Sequence, residues 1–463
     1  MVIDQPLPPP DGAPVLSVPV RPTAAVVLAA GRSERLAGMT RGASKALLRL
    51  GGLTLLERKV LHLLDAGIQR VVVVVGHDAV RVGKFASAIA PGRVEVVSAE
   101  RWQAGNGASL GAAENSVGDE RLFLLMTADH IFGGDAVERL LDIGEPAALV
   151  DPEARPEVVE EGTRVPIANG LALAFGKELD SRCVDCGVFL VPPSIFDCQR
   201  QASAEGDHSL AGALTRLAKQ LPVVAFPLPA NCWWIDVDTP EDLRGARRRL
   251  RNSLTKTSDG PVSRWLNRPL STRVSTALAT FRVAPDLVTL FVFLTSLAAA
   301  LALATANGLL GGILVQLASV LDGVDGELAR LQLRPSSRGA ILDAVLDRVA
   351  DAAILVGVGL WALNGHYPAS VVLLLTGAAV SGAFLSMALK DRAAALRLVP
   401  FPERRLGFLL GGRDGRLLLV ALLAVLGQPL LALLAVIVTA WVSAGVRLAL
   451  VWWREAPTRL LAP

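Results

Sequence analysis

Residues 308–347 read GLLGGILVQLASVLDGVDGELARLQLRPSSRGAILDAVLD, and this stretch decides the fold. It contains an apolar run of the length that crosses a bilayer, about 20 residues. Yet Asp322 and Asp325 sit within that run, and Asp343 and Asp347 within the next. A carboxylate at the centre of a spanning helix costs about 2.5–3.5 kcal/mol, so four cost roughly 10 kcal/mol. A chain tolerates that only where the acids reach an aqueous face and meet cations. Their spacing fits this. Asp322 and Asp325 lie one helical turn apart, and Gly339, Asp343 and Asp347 recur every four residues. A short basic turn (Arg330, Arg334, Arg338) joins the two helices, so the four carboxylates can converge. All-oxygen ligation suits Mg²⁺, with Mn²⁺ as an alternative; both are hard ions that also bind diphosphates. Gly326, Ala329 and Gly339 offer small surfaces between which a nucleotide can lie.

The sequence on both sides extends the membrane reading. Of 463 residues, 52% are hydrophobic and 19% charged, against about 25% charged in soluble proteins. The excess lies in the second half, where 287–306 and 368–389 carry no charge. Six spans are expected, at 286–306, 308–332, 337–364, 368–389, 415–428 and 429–453, the fifth being short. The segment before the first span, the 330–338 turn, residues 390–416 and the tail (Arg454, Arg459) are basic, and the opposite connections lack Lys and Arg. Both termini therefore face the cytoplasm, in a multi-pass protein of the cell membrane. The cationic run Arg244, Arg247, Arg248, Arg249, Arg251 and Lys256 sits where anionic headgroups attract it. Residues 263–281 read as an interfacial helix anchored by Trp265. Membrane lipids are thus expected neighbours and nucleic acid is not. A homodimer through the spans is the expected assembly.

The first half has another rhythm. Apolar strands at 26–30, 71–75 and 121–126 end at Gly31, Gly76 and Asp129, and helix-period segments at 54–66 and 108–117 lie between them. Strands that are apolar throughout and alternate with helices indicate an α/β Rossmann-like domain with a parallel sheet covered on both faces. Ligands then bind beyond the C-terminal strand ends. The expected organisation is a Pro-rich flexible tail (1–21) without a signal peptide, an α/β domain (22–250), a basic linker with the interfacial helix (251–285) and an all-α six-helix transmembrane domain (286–455). Cys183, Cys186, Cys198 and Cys232 read as reduced structural thiols, because a lone CxxC is weak evidence for a metal.

Written as Asp322-x2-Asp325-Gly326-x2-Ala329-Arg330-x8-Gly339-x3-Asp343-x3-Asp347, the membrane segment resembles the signature of the CDP-alcohol phosphotransferase family at every position. The resemblance implies that Asp322, Asp325 and Asp343 bind metal. Asp347 would complete that site and deprotonate the acceptor hydroxyl. Gly326, Ala329, Arg330 and Gly339 would hold the CDP moiety.

In the first half, Leu28-Ala29-Ala30-Gly31-Arg32-Ser33-Glu34-Arg35-Leu36, followed by Lys45, is a glycine turn at a strand end, a place for phosphates. It resembles the signature of sugar-phosphate nucleotidyltransferases, departing where Ser33 replaces a glycine and Ser44 a commoner proline. The resemblance implies that Leu28, Ala30, Gly31 and Lys45 bind nucleotide, with Arg35 and Lys45 absorbing charge as CTP is attacked. It also implies that Asp129 and Asp236 hold a second Mg²⁺, with Asp238 the alternative to Asp236, and makes His130 a neighbour rather than a catalyst. Gly105 and Asn106 open a candidate base-reading loop, and Lys177, Asp185 and Gly187 mark the sugar-phosphate side.

One half that makes a nucleotide-activated alcohol beside one that consumes it suggests consecutive steps. From about residue 22 to 455 the chain resembles bifunctional inositol-1-phosphate cytidylyltransferases fused to di-myo-inositol-phosphate-phosphate synthases. That implies CTP and inositol 1-phosphate as substrates and CDP-inositol as intermediate, on the way to a compatible solute. A phospholipid-type synthase with a lipid donor or acceptor is the alternative.

Overall fold

The computed structural model describes residues 21–32, 34–40, 42–255, 259–365, 367–395 and 412–455. Ser33, Lys256, Arg459, nearly all of the 1–21 tail and most of the basic 390–416 segment lie outside them, as does the side chain of Arg454. The chain divides into two compact units, residues 1–50 with 54–246, and residues 51–53 with 247–463.

The first unit is built on a nine-stranded sheet. Its strands are β1 (Ala24–Ala29), β2 (Arg70–Val75), β3 (Val94–Ser98), β4 (Phe123–Thr127), β6 (Ala147–Asp151), β7 (Ile167–Ala168), β8 (Leu171–Ala172), β9 (Val184–Val191) and β10 (Val224–Pro227), in the order β3-β2-β1-β4-β9-β6-β10-β8-β7. A separate antiparallel pair joins β5 (His130–Gly133) to β11 (Trp233–Asp236). Alternate residues of β1 and β2 enter different cores: Val26, Leu28, Val72 and Val74 one, Ala25, Val27, Val71 and Val73 the other. Both faces of the sheet are therefore covered, which is why these strands are apolar at every position rather than at every second one.

The expected parallel pairing holds across β3-β2-β1-β4 and recurs between β6 and β10. From β9 onward the sheet is mixed, because β9 runs antiparallel to both β4 and β6. Helix α1 (Leu55–Asp65) begins with a capping box in which Thr54 accepts from Glu57 N and Glu57 accepts from Thr54 N. The expected 108–117 helix is two short pieces, α2 (Asn106–Gly111) and a turn at Glu114–Val117.

The second unit is helical. A π-helical turn (Ser263–Asn267) leads into α5 (Arg268–Thr280), after α3 (Leu210–Gln220) and α4 (Pro240–Asn252) earlier in the chain. There follow α6 (Pro285–Ala304), α7 (Gly308–Leu321), α8 (Val324–Leu331), α9 (Ser337–Leu363), α10 (Ala369–Ala395), α11 (Arg413–Val425) and α12 (Pro429–Glu455). Small residues bring helices close: a Cβ on Gly357 of α9 would lie 2.4 Å from the Ala300 carbonyl oxygen of α6. Asn307 and Ser336 cap α7 and α9, accepting from Leu310 N and Gly339 N.

Four helices among the described residues are long and apolar enough to cross a membrane: Pro285–Ala304, Gly308–Leu331, Ala369–Ala393 and Pro429–Trp452. These four match the first, second, fourth and sixth of the expected spans. Helix α9 is long enough, but its first half carries Arg338, Asp343, Asp347, Arg348 and Asp351. Helix α11 has only 13 residues, about 20 Å at 1.5 Å per residue. The second apolar run is interrupted at Asp322-Gly323, between α7 and α8.

Candidate active sites

In the first unit the strand ends deliver the expected carboxylates to one place. Asp129 follows β4, and the β5–β11 register sets Asp236 opposite His130. Ligand atoms of Asp129, His130 and Asp236 lie within 4.8 Å of one another. Lys45 Nζ lies 2.8 Å from Asp129 Oδ2 and also donates to Asp238 Oδ1. Asp238 Oδ2 is 3.8 Å from Arg35 Nη1, which donates to Glu161 Oε2 at 2.6 Å. The two candidate carboxylates are thereby told apart by neighbours: Asp238 serves the cations, and Asp236 faces Asp129.

Electrostatics follows from these contacts. Burial pushes the Asp236 carboxyl up to about 6, with Asp129 and Asp238 adding to the rise against the His130 ring. Asp129 goes the other way: despite burial, Lys45 and His130 hold it well below the usual carboxylate range. Lys45 is held above its ordinary value by the three acids, against the opposing effect of burial. Asp236 Oδ1 is buried and has no hydrogen-bond partner among the described residues, with His130 Nδ1 3.9 Å away. A buried, unsatisfied carboxylate oxygen beside a second carboxylate is a donor set that a hard divalent cation fits.

His130 is fixed rather than free. Its Nδ1 lies 2.8 Å from Asp129 Oδ1 and 2.7 Å from Thr127 Oγ1, and its ring stacks on Trp234 at 5.4 Å between centroids. Trp234 Nε1 donates to Asp151 Oδ2 at 2.8 Å. On the sugar-phosphate side, Gly187 N donates to Asp185 Oδ1 at 2.8 Å, and burial raises the Asp185 carboxyl. Lys177 is exposed and has no hydrogen bond or ion pair among the described residues, so it is not drawn into the cluster. Leu28 and Ala30 hold the strand-end loops by their carbonyls, accepting from Ala128 N and His77 N, and Gly31 has open space where a side chain would point. Gly105 has φ +149° and Gly107 packs on the His208 carbonyl, while Asn106 Oδ1 accepts from Leu210 N at the start of α3. The Asn106 side-chain oxygen is thus engaged in holding α3.

Sequence reading missed Lys59. It is buried on α1, donates to the His130 carbonyl at 2.5 Å, and lies 5.2 Å from the centroid of the Phe132 ring. Burial pushes it down to about 7. Its position, one turn after the cap of an amphipathic helix, carries no sign of this role.

In the second unit, ligand atoms of Asp322, Asp343 and Asp347 lie within 4.8 Å of one another. Asp325 lines the same small cavity, its Oδ2 accepting from Thr289 Oγ1 at 2.6 Å. All four signature acids therefore converge, as their spacing requires. Gly339 has Asp286 Oδ1 at 3.5 Å from where its Cβ would stand, and Gly326 has Arg330 Nη1 at 3.4 Å. Ala329 is half-buried on α8. Arg330 Nη2 donates to the Leu254 carbonyl at 3.2 Å, and its Nε is buried with no hydrogen-bond partner among the described residues.

The residue no motif announced here is Arg413. Its Nη1 donates to Asp322 and lies 3.1 Å from Asp347 Oδ2, and its Nε donates to Asp351 Oδ1 at 2.9 Å. One guanidinium against this many buried and half-buried carboxylates leaves negative charge, and all-oxygen donors again fit a hard divalent ion. A larger cavity of about 430 Å³ opens from the same acids and is also lined by Arg348, Lys390 and Arg447.

Comparison with known proteins follows the same division. Residues 25–220 match the MobA-like NTP transferase domain family, and residues 282–453 match the CDP-alcohol phosphatidyltransferase family. A Rubrobacter xylanophilus protein named bifunctional IPC transferase and DIPP synthase is 40% identical over 424 residues, 89% of this chain and 92% of that protein. Proteins of the same name from Thermococcus kodakarensis and Aquifex aeolicus are 33% and 32% identical, over 93% and 89% of this chain and 96% and 95% of their own lengths.

Proposed function

The chain belongs to the family of bifunctional IPC transferases and DIPP synthases, and from that premise we propose how its two acidic centres divide the work. The first unit makes CDP-inositol and diphosphate from CTP and inositol 1-phosphate. The second transfers phosphoinositol from CDP-inositol to another inositol 1-phosphate, giving di-myo-inositol phosphate phosphate and CMP. The observation that carries this reading is that each unit assembles its own carboxylate centre.

In the first unit, Asp129 and Asp236 would hold Mg²⁺, and Lys45 and Arg35 bind the phosphates of CTP. Asp238 orients both cations through the contacts described above. A phosphate oxygen of the inositol phosphate attacks the α-phosphorus, and the bond to the leaving diphosphate breaks. Leu28, Ala30 and Gly31 shape the loop over the nucleotide, Gly105 and Asn106 the base side, and Lys177, Asp185 and Gly187 the inositol side. In the second unit, Asp322, Asp325, Asp343 and Asp347 would hold Mg²⁺ or Mn²⁺. Gly326, Ala329, Arg330 and Gly339 hold the CDP moiety. Asp347 takes the proton of the acceptor hydroxyl as its oxygen attacks the phosphorus bonded to inositol and CMP leaves. Arg348, Lys390 and Arg447 are among the residues lining the adjoining cavity, with Arg348 paired to Asp391, and would meet a phosphorylated acceptor there. In both centres a bound divalent cation supplies neutralisation of the phosphate charge.

We further place the protein in the cell membrane as a homodimer, with six crossings, both termini in the cytoplasm and lipid around the second unit. The test is mass spectrometry of products from purified full-length protein given CTP, Mg²⁺ and a panel of polyol phosphates. Inositol 1-phosphate is expected to yield a water-soluble product two steps on. Label from inositol 1-phosphate recovered in a chloroform-soluble product would instead establish a lipid acceptor.

A further inference from the structure

Glu327 stands one position after the signature glycine Gly326, inside α8, and its side chain is 0% exposed. Among the described residues its oxygens are met from one helix. Oε1 accepts from Arg268 Nη1 at 2.5 Å and from Ser271 Oγ at 2.8 Å, and Oε2 accepts from Ser275 Oγ at 2.5 Å. The donors are spaced three and four residues apart, on one face of α5. Arg268 is held in turn, donating through Nε and Nη2 to Asp259 at 2.8 and 3.0 Å. Nearby, Ala279 of α5 packs with Val324, Leu328 and Leu331 of α8, while Arg268 and Ser271 also line the cavity that holds Asp322.

An ion pair buried among such residues does not hold helices together better than apolar packing would. What it adds is direction, because a carboxylate met by three donors fits in one register only. The register matters at this point. A Cβ on Gly323 would lie 2.7 Å from Arg268 Nη1, so the guanidinium fills the notch where the apolar run is interrupted. Asp322 stands just before that interruption and Asp325 just after it. Rotation of α8 relative to α7 would carry Asp325 away from Asp322, Asp343 and Asp347.

We propose that Glu327 and Arg268 are positioning residues which, by clamping α8 to α5, set Asp325 in register with the other three acids for divalent-cation binding. This rests on the reading of those acids as a metal centre. The test uses full-length protein in detergent carrying Asp129→Ala, which silences the other centre, and follows Mn²⁺ binding by electron paramagnetic resonance beside thermal melting. Glu327→Gln, which keeps an acceptor for the serines but removes the charge, should weaken Mn²⁺ binding about tenfold or more, as loss of outer-shell support does. The paired change Glu327→Leu with Arg268→Leu, made together with Asp259→Asn so that no carboxylate is left facing the lost guanidinium, should restore the melting temperature to that of the parent while Mn²⁺ binding stays weak. Unchanged Mn²⁺ affinity in both variants, or affinity that recovers together with melting in the combined variant, overturns the positioning role. A parent that binds no Mn²⁺ overturns the metal-centre reading itself, and this proposal with it.

Discussion

At the scale of single residues, Asp236 and its alternative Asp238 have different neighbours. Asp238 lies against Lys45 and within reach of Arg35, and Asp236 presents a buried oxygen with no hydrogen-bond partner among the described residues, beside Asp129. Backbone alternation explains the difference: residues two apart share a face only while a strand continues, and β11 ends at Asp236. The assignment has a pH signature. Burial raises Asp236 to about 6, and a carboxylate must lose its proton to ligate a cation. Above that value the group is charged and ready; as pH falls through it, protons compete with metal. The Mg²⁺ concentration that half-saturates CTP-dependent diphosphate release should therefore rise about tenfold per unit of pH below roughly 6. Asp129 adds nothing to this window, because Lys45 and His130 hold it well below the usual range even though burial opposes them. Initial rates measured against Mg²⁺ between about pH 5 and pH 8 check it. A half-saturation that stays flat across that range would remove Asp236 from the ligand set. Asp238→Asn should chiefly raise the KM for CTP, since it acts through the cations.

At the scale of elements, what could be read in advance was what repeats along the chain. Continuous apolar strands revealed a sheet buried on both faces, and four-residue spacing on α9 revealed which carboxylates share a face. Features set by distant partners were hidden. Nothing local in β9 says that it runs antiparallel to β4, and nothing local in α11 says that Arg413 ends among three aspartates. Helix α1 gave its cap and its amphipathic face, but not that Lys59 reaches the His130 carbonyl. The register of β9 shifts between Asp185 and Phe189, and Gly187 sits in that irregularity with φ +70°. A Cβ there would lie 2.7 Å from Thr127 Oγ1 and 3.0 Å from the His130 ring. Gly187→Ala should thus cost about 1–3 kcal/mol, from the left-handed backbone and from pushing His130 off its partners. The first unit's melting temperature and CDP-inositol formation should both fall. Transfer from supplied CDP-inositol by the second unit should not change, and a parallel loss there would mean that the damage is not local to β9.

At the scale of the whole molecule, the decisive fact is that chemistry of the same kind is built twice, on unrelated frameworks, in one chain. A carboxylate pair stands at strand ends in one half, and four acids from helices flanking a tight turn line one cavity in the other. Asp129 falls within the first family match and Asp322, Asp325, Asp343 and Asp347 within the second, with Asp236 in the stretch between the two. Each activity should then fail alone. Asp347→Asn removes the proposed base and one ligand, so transfer should drop by at least about a thousandfold, within the range for losing such a group. CDP-inositol formation should continue, and the intermediate should accumulate. Asp129→Ala should have the mirror effect: no CDP-inositol from CTP, but normal transfer when CDP-inositol is supplied. Chromatography of nucleotides and products from the two full-length variants, with and without supplied CDP-inositol, reads both outcomes in one experiment. Mixing the two variants carries the argument one step further. If CDP-inositol passes through solution between chains, the mixture regains the complete sequence at a rate that depends on its concentration. If that pool is trapped by added CDP-inositol without slowing the parent enzyme's overall flux of labelled CTP to product, the intermediate is handed on within one assembly. Equal dilution of label in parent and mixture would show two independent enzymes that share a chain.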